Sequence, residues 1–194
     1  MSIRLKQLGI SVFLYLFTTA VFANSHTYDI DIVIFSHITP NTMQSEQWPI
    51  VSQDDMRLFD QNTSTNNIKP TYQLQREVKI LQNTADYHVL FSGSFRQTWN
   101  QIGSSITISV KSDNIAGNFT IQLSHYFDVY ANLLLTEPTA LLQKMDSRGF
   151  FTQWNQSTFS FLFKQHRRMR SRELNYLGNP VVGVLIKINP VMTT

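Results

Sequence analysis

The chain has 194 residues, 42% of them hydrophobic, with 16 Lys and Arg against 13 Asp and Glu. It contains no Cys, which excludes disulfides and thiolate metal sites and leaves the apolar core as the source of stability. The net charge of +3 is too small for a globally basic surface, so any acidic partner has to be met by a local cluster of cations.

Arg4 and Lys6 precede an apolar stretch from Leu8 to Phe22, and Val21-Phe22-Ala23 offers the residue sizes that a signal peptidase reads. A signal peptide over residues 1–23, cleaved after Ala23, is expected, followed by one domain over 24–194. The alternative is an uncleaved anchor, but about 15 apolar residues are short against the roughly 20 that a membrane span needs. With no Cys after it, lipid attachment at the leader lacks its thiol. Loss of Arg4 and Lys6 leaves 14 cations against 13 acids, a net charge of +1. Fourteen Phe and seven Tyr, which suit half-buried pleated surfaces, tilt the expectation toward sheet.

Tyr28, Ile30, Ile32 and Ile34 alternate with Asp29 and Asp31 and read as a first strand. From Ser36 to Pro70 the composition turns polar with Pro40, Pro49 and Pro70 as punctuation, predicting a long irregular loop. Trp48 within it is read as a plug that pins the loop to the domain rather than a ligand contact. Leu74, Val78, Leu81 and Ala85 share one helical face, predicting a principal helix from about Tyr72 to Asp86 that lies across the sheet. A strand from Tyr87 to Trp99 follows, with Gly93 marking a bulge or the close approach of another segment.

Ile106, Ile108 and Val110 alternate up to a turn-rich stretch at Ser112 to Asn118, where a hairpin is expected. Its second arm alternates from Phe119 all the way to Leu135, which predicts one long, bent strand with a bulge near His125 to Asp128. Glu137 to Phe151, with Pro138 at a helix-start position, reads as a short helix or an irregular excursion. Phe159, Phe161 and Phe163 form another strand face, as do Val182, Val184, Ile186 and Ile188. Between them Lys164, Arg167, Arg168, Arg170 and Arg172 accumulate, with His166 among them and no acid before Glu173, and Gly178-Asn179-Pro180 closes what reads as a cationic loop. The fold class expected is α+β, a mainly antiparallel sheet with one principal helix packed against it.

The segment RRMRSRELNYLGNPVVGVLIKI, together with YDIDIVIF at Tyr28–Phe35, SEQWP at Ser45–Pro49 and YHVLFSGSFRQ at Tyr87–Gln97, resembles the CsiV-type peptidoglycan-binding proteins of the Gram-negative periplasm. The family pattern differs at Arg172, Asn175, Gly178 and Asn179, and at Phe95, where a Trp is usual. The resemblance implies a periplasmic, non-catalytic protein that binds peptidoglycan and supports wall synthesis by a class A penicillin-binding protein, through that enzyme's lipoprotein activator. An envelope adaptor that touches proteins without gripping the wall is the alternative.

No catalytic constellation is expected. His26, His37, His88, His125 and His166 show no metal-ligand spacing, and Ser92-Gly93-Ser94 lacks the frame of a nucleophile elbow. No cofactor and no nucleic acid partner are expected. The cationic segment has two readings: a solvated patch that guards a strand end, or guanidinium groups that pair with the carboxylates of peptidoglycan stem peptides and lactyl linkages. The candidate ligand-binding residues there are Arg167, Arg168, Arg170, Arg172, Glu173 and Tyr176. A second group, Arg96, Gln97 and Trp99, offers a ring for the apolar face of a sugar and polar groups for its hydroxyls, or else a strand whose Arg caps buried carbonyls.

Overall fold

Side-chain alternation builds eight strands among the described residues of the computed structural model, which are 26–45, 48–52, 56, 59, 69 and 73–191. The leader expected at 1–23 lies outside them. The strands are β1 (His26–Ser36), β2 (His88–Trp99), β3 (Ser105–Lys111), β4 (Ile115–Leu123), β5 (Phe127–Pro138), β6 (Thr158–Met169), β7 (Leu174–Gly178) and β8 (Val182–Pro190). They pair antiparallel throughout, in two four-stranded sheets of order β2-β1-β8-β7 and β3-β4-β5-β6.

The core lies between the sheets. Ile30, Ile32 and Ile34 with Val184, Ile186 and Ile188 come from the first sheet, and Phe119, Ile121, Val129, Leu133, Phe161 and Phe163 from the second, all buried in one cluster. Each Ile, Val or Phe removed from water in this way contributes roughly 1.5–3 kcal/mol, which makes this layer the main stabilising element. Among the described residues, no helix is long and apolar enough to cross a membrane.

The antiparallel sheet content agrees with the sequence, but the principal helix does not form as expected. Short helices stand at α1 (Pro40–Ser45), α2 (Gln75–Gln82) and α3 (Thr139–Met145). Helix α2 buries none of its own residues, and Leu74, just ahead of its first turn, is the buried anchor. The physical reason is that the apolar face assigned to the helix is already covered by a second sheet, so α2 is left beside β2 at the periphery.

The long alternation from Phe119 to Leu135 is two strands rather than one bent strand. Ser124, His125 and Tyr126 turn the chain, with the Ser124 N–H donating to the Tyr126 carbonyl at 2.8 Å, and Leu123 pairs directly with Phe127. A three-residue turn keeps residues of equal parity on one face, so the two-residue period runs through the hairpin without a break. The expected bulge at Gly93 is also displaced: Gly93 pairs in register with Ile32, and the shift falls where Phe91 and Val89 oppose Ile34 and Phe35. Another segment does approach there, since Lys69 and Ser94 exchange backbone hydrogen bonds of 2.8 and 3.2 Å.

Trp48 is half-buried and meets the Phe161 ring edge-on at 5.1 Å, the packing contact read from the sequence. The cationic stretch is not a loop. β6 continues through Lys164, His166, Arg167 and Arg168, and the chain turns only after Met169 before re-entering the first sheet as β7. Its cations are carried by a strand because the partner positions Val129 and Ala131 on β5 remain apolar and buried, which extends the ladder past the last Phe. Gly178-Asn179-Pro180 closes the β7–β8 hairpin instead, where the Asn179 side-chain oxygen accepts from the N–H groups of Val181 and Val182.

At Gly117 the backbone of β5 comes close to β4. Its φ is +153°, and a Cβ there would collide with the carbonyl oxygen of Asn132 and lie 2.8 Å from Leu133 Cα. Gly117→Ala is expected to destabilise the fold by about 2 kcal/mol or more, because backbone rather than a flexible side chain has to yield. Urea unfolding followed by circular dichroism measures this, and a midpoint equal to that of the parent would contradict the close approach.

Candidate functional site

Because β5 and β6 bury alternate residues, the intervening ones face outward together. Their register sets His166 opposite Tyr130, Arg168 opposite Asp128 and Lys164 opposite Asn132, while the inward pair Met169 and Phe127 closes the ladder from the core side. One step further, the Arg170 guanidinium lies over the Tyr126 ring at 5.7 Å. The result is a ladder of four cross-strand pairs on the outer face of the second sheet. Cross-strand pairs of this kind orient one another's side chains.

Asp128 is the hub. It is 6% exposed and accepts two hydrogen bonds from Arg168, Nε to Oδ1 at 3.0 Å and Nη2 to Oδ2 at 3.2 Å. His166 Nε2 lies 3.2 Å from the same Oδ1. The bidentate bond from Arg168 holds the Asp128 carboxyl below the usual carboxylate range; the His166 contact acts the same way, while burial opposes both. The Tyr130 and His166 rings stack at 4.3 Å between centroids and 13° between planes, and Tyr130 is 47% exposed.

The other arginines serve different surroundings. Arg167 has the opposite parity and reaches across the seam between the sheets, its Nε donating to Asn175 Oδ1 at 3.2 Å. Asn175 is buried on β7 and gives its own amide to the Glu173 carbonyl at 3.2 Å, so this pair ties β6 to β7. Arg172 sits in the turn at φ +70°, with its N–H bonded to the Ile188 carbonyl at 2.7 Å. Among the described residues, no carboxylate lies within ion-pair distance of Arg170 or Arg172. Glu173 is exposed in the same turn.

The remaining candidates do not join this cluster. Tyr176 is half-exposed on β7, on the outer face of the first sheet, where its ring stacks with Phe35 at 6.4 Å. Arg96 is engaged by Asp29 across the β1–β2 pair, Nε to Oδ1 at 2.8 Å and Nη2 to Oδ2 at 2.9 Å. Gln97 is half-buried beside it. Trp99 is 1% exposed and wedged edge-on against Tyr28 at 5.7 Å and Phe127 at 5.8 Å, so its ring offers no face to a sugar. β2 and β6 are edge strands of different sheets, which separates the Arg96 group from the cationic strand. Among the described residues, no group of His, Asp and Glu is placed to hold a metal ion.

The family described as "Peptidoglycan-binding protein, CsiV" matches residues 71–191, from before α2 through the end of β8. The chain belongs to the CsiV family. The match includes β2 to β8, and with them the whole ladder. No curated protein and no solved structure matches the chain.

In this CsiV-family chain, Tyr126, Asp128, Tyr130 and Asn132 are the functional candidates that sequence reasoning missed. They precede their partners by about 40 residues, and only strand register joins them. A signal was present: polar and aromatic residues occupy every second position against Phe127, Val129, Ala131 and Leu133, the pattern of a strand with one wet face.

The depressed Asp128 carboxyl makes its contribution to stability pH-dependent. A folded value below the ordinary 3.8 means that the contribution is complete above that ordinary value and fades as the pH falls through the folded value. The stability difference between the parent and Asp128→Asn is therefore expected to be largest near neutrality and to shrink in acid. Urea midpoints over a pH series measure it, and a constant difference would rule out this linkage.

Proposed function

We propose that this CsiV-family protein binds peptidoglycan noncovalently through the arginine-bearing end of β6 and the turn that follows it. One observation carries the reading: Arg170 and Arg172 project from an exposed strand end and turn with no carboxylate of their own among the described residues. Guanidinium groups form planar two-point hydrogen bonds with carboxylates, which peptidoglycan carries on its stem peptides. Arg168 is committed to Asp128 and Arg167 to Asn175, so those two position the strand while the last two are available to a ligand.

Binding of the wall calls for a location in the periplasm or envelope, consistent with the leader read from residues 1–23. The resemblance further supports a role in wall synthesis by a class A penicillin-binding protein through its lipoprotein activator, with this chain as a binding component rather than a hydrolase. Crosslinking in intact cells separates wall binding from a purely protein-adaptor role, because only the former yields adducts with muropeptides.

The direct test is co-sedimentation with purified sacculi at low salt. The parent is expected in the pellet, with retention falling as salt screens the exposed guanidinia. A double variant, Arg170→Gln with Arg172→Gly, should lose about threefold to tenfold in apparent affinity, equivalent to roughly 0.7–1.4 kcal/mol. Glycine suits the positive φ at position 172, so this variant is designed to fold. Full recovery of the parent in the supernatant would defeat the proposal, and equal retention of a folded double variant would assign both arginines to structure.

A further inference from the structure

We infer that the outer face of the second sheet, from Tyr130 across to Thr107, is a saccharide subsite that takes an N-acetylhexosamine ring of a glycan strand. The register sets His166, Tyr130, Thr120 and Thr107 side by side in one row across four strands. Strands lie about 4.8 Å apart, so the row spans roughly 14 Å, enough for a short oligosaccharide. Tyr130 and His166 stack nearly parallel on neighbouring strands, which makes them one wall two rings thick. The Tyr130 face turned away from the imidazole looks over the small side chains of Thr120 and Thr107, whose hydroxyls lie 3.3 Å apart. An upright aromatic wall beside a low hydroxylated floor suits a pyranose, with its apolar ring face against the tyrosine and its hydroxyls over the threonines.

Two further observations favour a glycan as the occupant. On this same face the next row is Ser109, Asn118, Asn132 and Lys164, and the row beyond it holds Ala116, Leu134 and Leu162, apolar and packed against Val51 and Phe59. Where the face is covered it is greasy, and where it is open it carries threonine, asparagine and an exposed tyrosine, the composition of a surface that meets a hydrated ligand. The charge also matches. Lys164 and Arg168 flank His166 on the outer face of β6, while the facing carboxylate, Asp128, is already held by Arg168 and His166. A carboxylate-bearing glycan therefore finds net positive charge beside the ring wall. This inference rests on the peptidoglycan-binding reading and assigns the glycan and the stem carboxylates to adjacent parts of one face.

The experiment uses the whole purified chain and two probes: intact sacculi, and glycan strands stripped of their stem peptides by an amidase, titrated by tyrosine and tryptophan fluorescence. The parent is expected to bind both. Tyr130→Ala should weaken binding of the stripped strands by about tenfold, equivalent to roughly 1.4 kcal/mol, while Tyr130→Phe keeps the ring and binds within a factor of about two. Thr120→Gln fills the floor while keeping Tyr130 in the chain and should show a similar loss, so the inference does not depend on the folding of one variant. If the parent binds sacculi but not stripped strands, or if Tyr130→Ala and Thr120→Gln bind stripped strands as well as the parent, the subsite is wrong and the peptidoglycan reading survives. If the parent binds neither probe, both fall.

Discussion

Strict alternation along β5 and β6 is the constraint from which both the core and the candidate site follow. Phe127, Val129, Ala131 and Leu133 turn into the sandwich with Phe159, Phe161 and Phe163, so Tyr126, Asp128, Tyr130 and Asn132 must turn out. A shift of one residue would put Asp128 and Arg168 in the core and expose the phenylalanines, an arrangement that hydrophobic burial forbids. The ladder is thus held in place by side chains on the opposite face of the same strands.

This division separates the residues that hold the sheets together from those proposed to meet a ligand. The sheets are held by the apolar layer between them, and exposed ion pairs such as Arg96 with Asp29 add little. Arg168 and Asp128 matter more for orientation: a bidentate bond keeps the guanidinium flat beside the stacked rings and leaves His166 standing against Tyr130. Arg167, facing the seam, fastens β6 to β7 at the point where the chain passes from one sheet to the other. A single cationic stretch therefore contains residues that join sheets, orient neighbours and remain available to a ligand.

The two readings of that stretch are compatible. β6 is the edge of its sheet, and the long cations on its far half discourage edge-to-edge pairing with another chain. The same exposure that guards the edge leaves guanidinium groups open to solvent, as the proposed carboxylate contacts require. On the opposite side of the molecule, β2 is protected differently, by the backbone bridge between Ser94 and Lys69. Lys164, Arg167, Arg168, Arg170 and Arg172 thus gather five of the chain's 16 cations within nine residues at one edge of the sandwich.

By itself the sequence determined the alternating apolar faces of most strands and the cationic cluster, though not β7 inside the expected loop, because a two-residue period and local composition are properties of neighbouring residues. It also carried the family resemblance. Only the tertiary structure decided that the apolar face meets a second sheet instead of helix α2, that Trp99 is sealed inside, and that Phe119 to Leu135 folds back on itself at Ser124. Those outcomes depend on which faces meet and on a turn that preserves parity, neither of which alters the local pattern. The same holds for the ladder: Tyr130 and His166 lie 36 positions apart in the chain, and their stacking exists only because β5 and β6 pair in one register.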